Sequence, residues 1–148
     1  MYSRVARLLG AAVIVAVLAS QTACVKTPST GPPAPAEYRV AQAVAVLVEA
    51  NKTATEVAIS LNRSSVLDRG TTAEILNYTE AVARSAKAVL ALLDDGRPLD
   101  DKRADIRAAL ATLSNAGLLQ KGGLPPAVVT ALTTVQLLVE EALKEVGP

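Results

Sequence analysis

Between residues 37 and 146 one device recurs four times. Apolar residues stand at every third or fourth position, and turn-forming residues close each stretch. The first stretch runs from about Glu37 to Asn62, with Val40, Val44, Leu47, Val48, Ala54, Val57, Ala58 and Leu61 at helical spacing. It is apolar on most sides from Val40 to Ala50, which predicts the most buried helix. Val44, Val46 and Val48 also alternate like a strand, but abundant Ala and the lack of turn signals nearby favour helix. In the second stretch Thr71 and Glu74 make a capping-box pattern. Ile75, Leu76, Thr79, Val82, Ala83, Ala86, Val89, Leu90 and Leu93 follow on one face, and Gly96 offers a left-handed stop. The third is shorter, with Asp100 as an expected cap, Asp101 in the first turn, and Ile106, Ala109, Leu110 and Leu113 as its stripe. Asn115 and Gly117 suggest its end. In the fourth, Pro125 and Pro126 suit a first turn, where a missing N–H costs nothing. Val128, Val129, Leu132, Val135, Leu138, Val139, Ala142, Leu143 and Val146 form its face, Glu140 and Lys144 are expected to pair along it, and Gly147 and Pro148 stop it.

Short links between amphipathic helices favour antiparallel neighbours. The expected fold is therefore all-α: a small up-down bundle of about four helices over residues 37–148. Composition fits that architecture. The chain has no Phe, Trp or His, and Ala, Val and Leu carry its apolar content, which suits closely packed helices. With one cysteine no internal disulfide can form, so an aliphatic core must hold the domain. Residues 37–146 can bury roughly two thirds of their unfolded surface, enough for independent folding. No repeat of fixed period argues for a solenoid.

The first 36 residues read differently. Arg4 and Arg7 precede an uncharged apolar run from Leu8 to Ala19. That run is about a dozen residues, while a helix needs about 20 to span a bilayer. Ser20, Gln21, Thr22 and Ala23 follow, in the order of a secretory signal peptide. The segment ends at the only cysteine. Gln21-Thr22-Ala23-Cys24 resembles the lipobox of bacterial lipoproteins. Thr22 and Ala23 match its small residues, and Gln21 stands where that family favours an aliphatic side chain. The resemblance implies a diacylglyceryl group on the Cys24 thiol, removal of residues 1–23, and a membrane partner reached through that lipid. It covers about 24 residues and implies nothing about the domain. Three other readings use the same residues: cleavage after Ala23 to give a soluble secreted protein, an uncleaved short anchor, or a buried N-terminal helix.

Residues 24–36 form the expected tether. Thr27–Pro35 contains four of the eight prolines, so it can be neither helix nor central strand. Such a spacer rises about 3.1 Å per residue, a reach of roughly 40 Å from Cys24 to Ala36. In Gram-negative members of the family, Asp after the cysteine retains the protein at the inner membrane. Val25 stands there, which points to the outer membrane with the domain in the periplasm.

Chemistry is excluded class by class. Without His there is no Ser–His or Cys–His pair. No cofactor is expected, and zinc lacks ligands. Gly122-Gly123 is followed by Leu124 and two prolines, not by the Lys-Ser or Lys-Thr of a phosphate loop. The acidic cluster Asp94, Asp95, Asp100, Asp101 and Asp105 lacks EF-hand spacing and reads as a solvated turn. Loss of Arg4 and Arg7 from fifteen basic residues leaves thirteen against fourteen acids. A net charge of −1 gives nucleic acid no clustered basic face, and Tyr38 and Tyr78 are too few to stack bases. Three sequons, at Asn51, Asn62 and Asn77, read as chance beside a bacterial lipobox. The expectation is a non-enzymatic, membrane-anchored envelope lipoprotein serving as a structural or interaction module, with an envelope protein as partner. Alternatives are an apolar ligand or lipid held in the helical core, and a hydrolase working through carboxylates alone.

Overall fold

The structure, a computed structural model, describes residues 34–113 and 115–147. The described chain is helical: α1 (Ala36–Arg63), α2 (Arg69–Leu93), α3 (Leu99–Ala111), the single turn α4 (Ala116–Leu119) and α5 (Pro126–Val146). Polar contacts fix the topology. Arg39 near the start of α1 pairs with Glu145 near the end of α5 at 3.0 Å. Lys102 near the start of α3 meets both Glu37 on α1 and the Leu93 carbonyl at the end of α2. One end of the bundle thus gathers the starts of α1 and α3 and the ends of α2 and α5. At the other end Glu74, early in α2, pairs with Lys121 just ahead of α5. The four long helices run up, down, up, down, as their spacing predicts.

The stripes become the core. Val40, Val44, Leu47, Ala54 and Ala58 of α1 face Ile75, Val82, Ala86 and Val89 of α2, with Ile106 and Leu110 of α3 and the Val128–Val146 stripe of α5. α1 packs on both α2 and α5. It is less enclosed than its composition predicts. Val46 and Val48 remain 48% and 37% exposed, because the seam set by Val40, Val44 and Leu47 points them to the outer side. Small side chains on this seam let the helices approach closely, so the described core fills with Tyr78 as its one aromatic ring.

The helix ends depart from expectation in two places. α2 starts two residues before Thr71, and the Thr71–Glu74 box does not form. Asp68 is the N-cap, and its carboxylate accepts the Thr71 backbone N–H at 2.9 Å. A short charged acceptor at that position serves both the free N–H and the helix dipole. Glu74 is left for Lys121. At α3, Pro98 precedes the first turn and no side chain caps it; Asp100 pairs with Arg103 instead. Leu99, buried at 8% exposure, docks that start. Gly96 takes positive φ after α2, as expected of a left-handed stop, and α5 ends at Gly147, as expected, with φ 79° and an extended ψ of 179°.

Hydrogen bonds from Thr71 hold the Asp68 carboxyl below its ordinary range. A carboxyl lowered on folding stabilises the fold above its unfolded pKa and loses that effect as pH falls through its folded value. Asp68→Ala therefore lowers the thermal midpoint at neutral pH, and the gap to wild type closes as the pH falls below the ordinary carboxylate range. Melts by circular dichroism across that range check it. A gap that does not change with pH counts against the capping role.

Candidate functional site

The residues singled out for modification, Gln21, Thr22, Ala23 and Cys24, lie outside the described residues. The described part of the expected tether is its end, Ala34 and Pro35, with α1 beginning at Ala36.

The acidic turn is neutralised from within. Asp95 accepts from the Arg97 guanidinium at 2.8 and 2.6 Å and from the Arg97 backbone N–H at 3.0 Å. These bonds hold its carboxyl below the usual carboxylate range. Asp100 is taken by Arg103. Among the described residues no group of three or more His, Cys, Asp or Glu converges as metal ligands would. The turn is a charged joint between α2 and α3.

At the centre of that joint sits Lys102, only 1% exposed. Its ammonium donates to the Leu93 carbonyl at 3.1 Å and lies 3.3 Å from Glu37 Oε1 and 3.6 Å from Asp95 Oδ1. Leu93 closes α2, and its carbonyl is among those that no intrahelical donor reaches. A buried cation there meets the negative end of the helix. Lys102 thus ties together the start of α1, the end of α2 and the start of α3. Leu99, Lys102, Ile106 and Leu110 form one buried stripe, so the lysine stands on the core face.

Two asparagines occupy the same kind of position. Asn51 continues the α1 stripe and donates to the Thr79 carbonyl of α2 at 2.8 Å. Asn115, expected to end a helix, is instead 1% exposed and donates to the Leu132 carbonyl of α5 at 2.6 Å. Tyr78 lies buried on the α2 stripe, and burial pushes its hydroxyl up to about 12. The two asparagines cross-link helices, whereas the buried Tyr78 hydroxyl has no hydrogen-bond partner among the described residues.

Between α1 and α2 the outer surface opens into a groove of about 640 Å³. Tyr38, Ala41, Leu90, Ala91 and Leu93 supply its apolar lining, with Glu37, Lys87 and Asp94 around them. Tyr38 is 61% and Leu90 41% exposed. Its charged groups stand in solvent, and among the described residues that line it no nucleophile is paired with a base. Comparison with protein-family models, with curated proteins and with solved structures finds no match for this chain.

Proposed function

We propose that this chain is exported to a bacterial envelope, acylated on Cys24 and held at the membrane, where its helical domain acts as a non-enzymatic interaction module. One observation carries the proposal: the sole cysteine directly follows small residues that close an uncharged apolar run behind Arg4 and Arg7. A single acyl chain holds weakly, whereas two hold stably, at about 0.8 kcal/mol per buried methylene. The domain begins twelve residues after that cysteine, at Ala36, so the tether can carry a folded unit clear of the headgroups. A chain without His, whose described carboxylates are paired or solvated, favours binding over catalysis.

Growth of a bacterial host expressing the full chain in labelled palmitate tests the anchor. The expected result is a labelled band whose mature mass starts at Cys24 with a diacylglyceryl group. An unlabelled protein, or one starting at another residue, overturns it.

A further inference from the structure

Seven arginines lie among the described residues, and five of them are engaged. Arg39 pairs with Glu145, Arg84 with Glu80, Arg97 with Asp95 and Arg103 with Asp100, while Arg107 donates to the Gly147 carbonyl. Arg63 and Arg69 have no ion pair among the described residues, and both are exposed. They flank the same five-residue turn between α1 and α2. The turn is tightly built. Ser65 takes φ 58°, its N–H bonds the Asn62 carbonyl at 2.9 Å, and the Val66 N–H bonds the Leu61 carbonyl at 2.9 Å. This is the double bond pattern of a Schellman motif, in which the residue at the Val66 position usually packs back on the helix it ends. Val66 does not; it is 59% exposed, while Leu67 behind it is buried. The Asn62 side chain locks the loop by donating to the Leu67 carbonyl at 3.1 Å.

A fixed turn therefore holds out one bare apolar side chain in a loop whose two ends carry arginines without ion pairs, and both arginines line a concavity of about 480 Å³. α1 has 28 residues, so this turn stands about 42 Å along the helix from the point where the chain leads back to Cys24.

We infer that the α1–α2 turn is a docking point for an acidic protein segment carrying an apolar residue between its carboxylates. This rests on the interaction-module reading above and names the partner's chemistry. Planar guanidinium forks accept carboxylates in bidentate fashion, and Val66 gives the apolar contact between them. A phosphate polymer fits less well. An exposed valine offers a uniform polyanion nothing, whereas an apolar residue of the peptide can cover it.

The test uses the full chain in detergent and a fluorescent twelve-residue peptide of repeating Glu-Glu-Leu. Anisotropy is expected to show saturable binding that weakens with added salt. The double variant Arg63→Glu/Arg69→Glu weakens it at least about fivefold, with an unchanged circular dichroism spectrum. Val66→Ser weakens peptide binding while leaving the guanidinium groups in place. A Lys-Lys-Leu peptide does not bind. Binding that survives the double charge reversal, or no saturable binding, overturns the proposal. So does inorganic polyphosphate bound more tightly than the peptide and insensitive to Val66→Ser, which assigns the turn to phosphate instead. Cys24→Ser chain made without lipid binds the peptide with unchanged affinity, so failure of the anchor and failure of the docking point are read separately.

Discussion

Lys102→Ala lowers the unfolding free energy of the domain by about 3 kcal/mol, and Lys102→Met by about half as much. Three losses add up in the alanine variant. The buried aliphatic stem leaves a void, the Leu93 carbonyl loses its donor, and Glu37 and Asp95 lose the cation between them. Methionine keeps the stem volume and forfeits only the polar contacts. Glu37 is 47% and Asp95 29% exposed, so both rehydrate, and the loss stays below that of a fully enclosed ion pair. Small domains hold only 5–15 kcal/mol in total, roughly, so the alanine variant gives up a large share. Urea titrations followed by circular dichroism measure both. If alanine and methionine are equally mild, the stem and the ammonium are idle, and the joint is held by its apolar neighbours alone.

Cys24→Ser has the largest expected effect on location. The variant keeps the apolar run and the folded domain but loses the sulfur that the acyl group needs. Fractionation of expressing cells is expected to move the protein almost wholly out of the detergent-soluble membrane pool. Two acyl chains separate anchored from free protein by many powers of ten in partition, so an intermediate distribution is not expected. A serine variant that sediments with membranes as wild type does removes the lipid from the account and leaves the uncleaved anchor.

The fold was legible because four stripes of Val, Leu, Ile and Ala are interrupted at the right places. Gly96, Pro126 and Gly147 mark ends by backbone chemistry alone, and each holds in the structure. What the stripes hid was the polar residues standing on them. Asn51 and Lys102 occupy core positions by spacing, but polarity argues for the surface until a partner across the bundle is known. That partner is a backbone carbonyl in each case, Thr79 or Leu93, and carbonyls leave no trace in side-chain patterns. The Asp68 cap was passed over because Thr71 and Glu74 satisfied a familiar spacing, and distance along the chain does not show that Glu74 has Lys121 to answer. α4 is one turn long and carries no period to detect. The candidate surfaces were legible only as exposed composition. Which arginines lack partners depends on how five others are spent, Arg39 and Arg107 across helices and Arg84, Arg97 and Arg103 within four residues of themselves.

α3 has 13 residues where α1 has 28, so it covers less than half of its neighbour's length. At the end that holds Lys102 the core is walled by four helices. Beyond Ala111 the fourth wall is a single turn and irregular chain, pinned by Asn115 to α5. Backbone amides there exchange with water through smaller openings than those near Lys102. The bundle is therefore graded along its axis, walled by four helices around Lys102 and by three long helices with irregular chain beyond Ala111.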